Sequence, residues 1–467
     1  MLLVFSYSSA LVVFAALLWI VLRRPWMLVR PSVMFLGFYW LQVQFAAAFN
    51  AHLVYPGLDH PWRLAAVLHG FPLAVLMVIL PTFRGISARV AGRIEIIDVD
   101  PEQQIARLCV LFAAIYAIAG FYLLKVPFTQ TGLYALLFDP AHLDQYRELS
   151  MKLLDQPVVA YSFTIMEKVL APLAGGFAAA AAISAFRRRR LLPAALSLLL
   201  LVAAALPTLL YGARGPLSMV VLAAIVAVIV LNLRRLRLAY LGAAIVICLV
   251  PIAAISVLKS ERVTPEAAWF QMANIVDRAV GRGYIDNVWH LSYVERHGFH
   301  GIAGIPKLAV LVGEEPVDIL NLVGREYGGK TPSTGLAFLG VSQPPRPCDI
   351  RLNCDEQLSE KQPDGLDVNL TSSSGASFQT LNFAMFGWWS LPASVAFVLA
   401  LDLLLYAYMR MPGVSLVPVI AAISVPVLGL CFSMMTTILA SKGLLLIPMV
   451  GWAVGLNWPR MLRRAPA

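Results

Sequence analysis

The chain has 467 residues, 60% of them hydrophobic and 13% charged, with a formal net charge of +10. That is too apolar for a soluble globular domain, and the apolar runs are continuous, which excludes the alternating pattern of a spanning β-barrel. The positive excess sits in arginine clusters between apolar runs, so it reads as a topology signal and not as a nucleic-acid surface.

Runs of about eighteen or more apolar residues recur along the whole chain, which predicts an all-α polytopic membrane protein. About eleven spans are expected, near 3–22, 31–50, 63–83, 108–125, 161–185, 191–211, 216–233, 238–258, 381–408, 413–438 and 443–457. The first is expected to be retained, because Arg23 and Arg24 follow its apolar run and no small-residue cleavage pattern is present. The N-terminus is then outside. One set of alternating loops holds Arg23, Arg24 and Arg30, then Arg84, Arg89, Arg93 and Arg107, then Arg187, Arg188, Arg189 and Arg190. Arg234, Arg235 and Arg237, then Arg410, then Arg460, Arg463 and Arg464 continue the set. All fall on one side of an eleven-span chain, which places that side and the C-terminus in the cytoplasm. Residues 1–467 read as a single membrane domain without internal repeats.

Three outer connections stand out. Residues 126–159 contain Phe138-Asp139-Pro140 and Gln145-Tyr146-Arg147-Glu148. The turn Tyr211-Gly212-Ala213-Arg214-Gly215-Pro216 places a permanent cation between two apolar helices. Such a charge needs an anionic partner or a wet cavity. Residues 259–377 form one long outer loop with helix-like pieces at 265–280, where Thr264 is the N-cap, and at an amphipathic 305–323. A substrate site is expected on such a loop.

Cys109, Cys248 and Cys431 lie in spans and read as small core residues. Cys348 and Cys354 lie in a polar segment, 342–377, and their spacing in an outer loop reads as a local disulfide. No histidine stands near them to complete a metal site.

The sequence lacks a dinucleotide fingerprint, His-Glu-x-x-His and Gly-x-Ser-x-Gly. It also lacks a cytoplasmic loop large enough for a nucleotide-sugar donor, so chemistry would use a substrate already on the outer face. The outer face is rich in cations that topology does not require: Arg147, Arg214, Arg278, Arg282, Arg325 and Lys330. Arg278 and Arg282 share a helix face, and Gly281 and Gly283 flank Arg282, with Tyr284 next. Taken alone, this stretch reads equally as a diphosphate clamp or as a solvated helix in which Asp277 and Asp286 pair with the arginines. Arg214 tips the balance toward the clamp. Candidate bases are His290, Glu295, His297, His300, Glu326 and Glu167. Trp289 and Tyr293 offer aromatic faces for sugar rings. Glu167 and Lys168 are expected at the interface or paired with a neighbouring helix, and Lys442 is expected to snorkel to a membrane surface.

Three segments carry a resemblance. Gly212-Ala213-Arg214-Gly215 matches a Gly-small-Arg-Gly turn, Gln145-Tyr146-Arg147 is similar to a Tyr-Arg element, and Thr331-Pro332-Ser333-Thr334-Gly335-Leu336 is similar to a Pro-Ser-x-Gly stretch. With the polytopic helices and one long outer loop, the chain resembles the Wzy-type polymerases, the O-antigen or oligosaccharide repeat-unit polymerases of bacterial inner membranes. It departs from their pattern where Asn382-Phe383 follows only after the polar 342–377 insertion.

The resemblance implies glycosyl transfer at the periplasmic face of the inner membrane, without metal or other cofactor, in lipopolysaccharide biosynthesis. The substrate would be an oligosaccharide on undecaprenyl diphosphate within the lipid, and a chain-length regulator protein is an expected partner. On this reading Arg214, Arg278 and Arg282 contact the diphosphate, with Arg147, Tyr284, Arg325 and Lys330 beside them, and His290 or Glu295 is the catalytic base. An O-antigen ligase would share these features. A transporter would instead show charges deep in several spans, and the spans read as almost free of them.

Overall fold

The computed structural model describes residues 2–47, 60–82, 100–139, 142, 145–146, 149–150, 153, 157–212, 214–233, 282–320, 322–323, 375–411, 415–440 and 442–455. Every regular element among them is helical. In chain order they are α1 (Leu2–Arg23), α2 (Pro31–Tyr39), α3 (Pro61–Ile79), α4 (Pro101–Lys125), α5 (Gly132–Phe138), α6 (Val158–Arg187), α7 (Leu191–Ala205) and α8 (Arg214–Leu231). Then come α9 (Arg282–His297), α10 (Pro306–Val312), α11 (Phe378–Phe386), α12 (Ser390–Met409), α13 (Leu416–Gly429), α14 (Met435–Ala440) and α15 (Leu446–Gly455).

Six stretches are long and apolar enough to cross a membrane: α1, α3, α4, α6, α7 with its 3-10 extension to Leu209, and Phe378–Met409. The last is not one straight rod. Asn382 Nδ2 donates to Ser394 Oγ at 3.0 Å, whereas twelve residues of continuous helix would separate them by about 18 Å. The chain doubles back at Gly387, so α11 packs against the first turns of α12 and only α12 runs the length of the bundle.

The centre of the bundle is α6. Its Ala171–Arg187 portion is rich in alanine and glycine, and most of its residues are buried. Small side chains let neighbouring backbones approach closely, the packing that holds helices together where no hydrophobic drive acts between them. Accordingly α4, α7, α8 and α13 all pack on it.

Polar contacts define two ends. At one, Arg188 and Arg190 of the α6–α7 turn pair with Asp100 and Glu102 at the start of α4. Arg107 bonds Ser415 and the Gly455 carbonyl, and Arg187 bonds the Leu231 carbonyl. Slightly deeper, Arg30 is locked against Asp402, both 1% exposed, with Nη2 2.7 Å from Oδ2. Ser32 donates to the same carboxylate from its amide (3.0 Å) and its hydroxyl (2.6 Å). Arg30 also reaches the Ile79 and Thr82 carbonyls, both at 3.2 Å. Arg30, Arg107, Arg187, Arg188 and Arg190 of the expected alternating set share this end. Its opposite carries the α7–α8 turn with Arg214, the end of α4 and α9.

The expected spans near 413–438 and 443–457 are broken. α13 has 14 residues and α15 has 10, rises of about 21 Å and 15 Å against a hydrocarbon thickness near 30 Å. α13 runs inward from Ser415 beside Arg107 and ends at Gly429, just after Pro426. α15 ends beside the same arginine. Their inner ends meet in a non-helical stretch around 430–434 and 442–445, within the bundle.

Candidate functional site

Three helices carry a π turn, each with polar side chains in it or beside it. Trp40–Gln44 extends α2 and holds Gln42 and Gln44. Ala66–Gly70 interrupts α3 and holds His69. Met166–Leu170 interrupts α6 and holds Glu167 and Lys168. The inserted residue of a π turn widens the helix locally and is frequent at functional sites. Here each one aims polar groups inward from an apolar helix. Gln44 Nε2 donates to Ser9 Oγ at 3.1 Å, Gln379 Nε2 to Tyr39 Oη at 2.8 Å, and the buried His69 ring lies 6.5 Å from that of Tyr284.

A chain of contacts joins α9 to α8. Asn287 on α9 accepts from the Ser377 amide (3.1 Å) and from the Ser377 hydroxyl. The next residue, Phe378, donates its amide to the Leu430 carbonyl at 2.8 Å. Lys442 bonds Ser433, and its Nζ stands 5.2 Å over the Phe432 ring. Gly443 has φ +80°, and any side chain there would strike Val169 of the α6 π turn. That close approach sets Lys442 beside Lys168, near enough for the two ammonium groups to feel each other's charge. Lys168 Nζ lies 3.7 Å from Met219 Sδ on α8. Met219 is five residues past Arg214, about 7.5 Å of helix rise.

Around the α7–α8 turn, Gly212 takes φ +69° and its amide closes on the Leu209 carbonyl at 2.7 Å. Gly132, at the start of α5, sits directly on Tyr211 and Gly212, with no room for a side chain. Tyr122 of α4 is buried beside Ser150, Tyr211 and Glu167. The segment 126–139 is thereby bound to the Arg214 turn. Arg214 itself opens α8, and Pro216 falls in the first turn, where a missing amide costs nothing. The free amides of that turn favour an anion.

His290 is fully buried. Its Nδ1 lies 2.8 Å from the Asp286 carbonyl, a contact in which Nδ1 must donate, so the neutral ring leaves Nε2 as an acceptor. Among the described residues that Nε2 has no hydrogen-bond partner. Burial pushes the imidazole down to about 4, the Asp286 carbonyl opposing this only in part. Glu295, five residues on, lies near the rim with its carboxylate 3.8 Å from His60 Nδ1.

Trp289 and Tyr293, expected to offer open faces, are buried. Exposed aromatics lie elsewhere: Trp389 is 89% exposed, while Trp62 and Trp388 stack on each other at 5.4 Å and 3°, with Arg63 over Trp62. Helices at 306–312 and near 319–323 replace the single amphipathic helix expected over 305–323. Lys442 does not snorkel outward, and the Arg30–Asp402 pair, Glu167 and Lys168 put charge within spans that were expected to hold almost none. Arg214 and Arg282 are described by backbone position. Arg147, Arg278, Arg325, Lys330, Glu326 and the Cys348–Cys354 segment lie outside the described residues, as does the expected span 238–258. Among the described residues no group of three or more histidine, cysteine, aspartate or glutamate side chains is arranged to hold a metal.

No family model, curated protein or solved structure matches the chain.

The site therefore rests on its own geometry. One end of the bundle gathers a cationic turn, two inward lysines, a neutral buried imidazole, a rim carboxylate and a stacked tryptophan pair. Such an arrangement can hold an anionic group below and a flat, hydroxyl-bearing ring above.

Proposed function

We propose that the protein is a membrane glycosyltransferase of the Wzy type, polymerising oligosaccharide repeat units carried on undecaprenyl diphosphate. The observation that carries this reading is convergence. The Arg214 turn, α9 and the Glu167–Lys168 turn share the end of the bundle opposite the arginine clusters. On this reading the arginine-rich end faces the cytoplasm and the site faces the periplasm of a bacterial inner membrane.

The reaction breaks the bond between the donor sugar's anomeric carbon and the diphosphate oxygen. A hydroxyl oxygen of the acceptor repeat unit forms the new bond, its proton passes to a base, and undecaprenyl diphosphate leaves with the electron pair. Arg214, the first turn of α8, and Arg278 and Arg282 steady the charge that develops on the departing diphosphate. Glu295 takes the proton: it stands at the rim, near the chain that carries Trp62, whereas His290 is sealed inside. The sugar ring stacks at the exposed Trp389, beside the Trp62–Trp388 pair.

The charges found inside spans favour one other reading, a transporter of the same lipid-linked glycan. Reconstitution separates the two. The full chain in liposomes, given lipid-linked repeat units and no nucleotide sugar, is expected to yield a ladder of lipid-linked polymer and free undecaprenyl diphosphate. Movement of the lipid between leaflets without lengthening would establish the transporter instead. Transfer only to an added lipid A core would make it a ligase.

A further inference from the structure

We infer that Lys168 and Lys442 form an anion site inside the bundle that takes the phosphate groups of a lipid diphosphate. The lipid in this inference rests on the function proposed above; the anion does not.

Neither lysine forms an ion pair with a carboxylate among the described residues. Lys168 touches Met219, and Lys442 touches Ser433 and the face of Phe432. The two ammonium groups repel. Bringing two like charges together within an apolar bundle is costly unless something neutralises them. Glu167, adjacent in sequence to Lys168, supplies one negative charge. One positive charge remains, and the first turn of α8 adds a further positive pole about 7.5 Å along the helix from Met219.

The backbone points the same way. On either side of the short α14, around 430–434 and 442–445, the backbone is non-helical within the bundle, and such backbone persists only where it is buried in protein or lines a polar site. Broken helices whose ends meet at this depth are where membrane proteins hold ions and charged substrate groups. The fit of Gly443 on Val169 holds the segment that carries Lys442 against the turn that carries Lys168. Two ammonium groups exclude a metal cation. They suit a multiply charged phosphate, which lysine binds as a point charge, better than a lone carboxylate.

The test uses the full chain in lipid nanodiscs with two probes, undecaprenyl diphosphate and inorganic diphosphate. Thermal unfolding and binding are measured for the wild type, Lys168→Met, Lys442→Met and Lys442→Arg. The wild type is expected to bind a probe saturably and to gain stability from it. Each Met variant should bind about tenfold more weakly, the loss of one charge-assisted contact. Each should also unfold at a higher temperature than the wild type when no anion is present, because the repulsion is gone. Lys442→Arg should keep most of the binding. Equal binding of both probes identifies a site for the phosphate group alone, and preference for the lipid form adds the lipid.

Met variants that bind like the wild type, or a wild type that binds neither probe, overturn the inference. Lysine-dependent binding by a chain that never lengthens a glycan upholds the site and defeats the polymerase. Normal polymer from both Met variants, with unaltered binding, does the reverse.

Discussion

At the scale of single residues, burial decides what each titratable group can do. His290 is neutral in the fold because desolvation outweighs its bond to the Asp286 carbonyl. Its ordinary value is 6.5 and its value in the fold is about 4. The unfolded chain therefore binds the proton first as pH falls. The stability linked to this residue is complete above pH 6.5 and is lost as pH drops toward about 4, at roughly 1.4 kcal/mol per pH unit. Thermal unfolding measured across that window should show a shallower slope in His290→Gln than in the wild type. Identical slopes would mean that the imidazole is not sealed. Asp402 neutralises Arg30 where neither meets solvent. Asp402→Asn is expected to cost about 3–5 kcal/mol, the penalty of a stranded buried charge, read as a lower unfolding temperature in detergent. Asp402 is a lone carboxylate in an apolar helix, and the reading of the spans as almost free of charge passed over it. Which arginine answers it could not be read, because Arg30 lies far away in the chain and looks like a topology signal.

At the scale of elements, hydropathy located most helices but not their interruptions. It averages side chains over a window and is blind to where the backbone stops bonding to itself. The three π turns leave no such trace, although Gln44, His69 and Glu167-Lys168 are polar residues at places where an unbroken apolar helix would not want them. The halt of α13 had better signals in Pro426, Gly429 and Gly443. A similar blindness affected the turn at Gly387, where one apolar stretch proves to be two helices side by side. Packing also ties distant loops together. Gly132 touches the backbone of Tyr211 and Gly212, so a methyl group there must push the Arg214 turn away. Gly132→Ala should lower stability by roughly 1–3 kcal/mol and shorten the polysaccharide made in cells at equal membrane abundance. Full-length polysaccharide from that variant would show that the position of the turn is immaterial.

For the whole molecule, the arginine clusters between apolar runs were legible from the chain alone, and the contacts of Arg188, Arg190, Arg107 and Arg30 put those four at one end. The eleven-span count was less secure, since the last two spans are broken and one lies outside the described residues. The proposed orientation carries a chemical consequence. Cys348 and Cys354 would face an oxidising compartment, and thiol labelling of the denatured chain should gain two reactive thiols after reduction. Labelling unchanged by reductant would remove the disulfide and weaken the assignment of that end to the periplasm. Arg214 connects all three scales: a permanent cation, at the start of α8, on the end of the bundle opposite Arg188 and Arg190. The most direct measurement is the length of the surface polysaccharide in a strain whose only polymerase is this chain, carrying Arg214→Ala or Arg214→Lys at wild-type membrane abundance. The account predicts single repeat units with the Ala variant and sharply shortened polymer with the Lys variant, because a point charge replaces a bidentate fork. Full-length polymer from Arg214→Ala would contradict it.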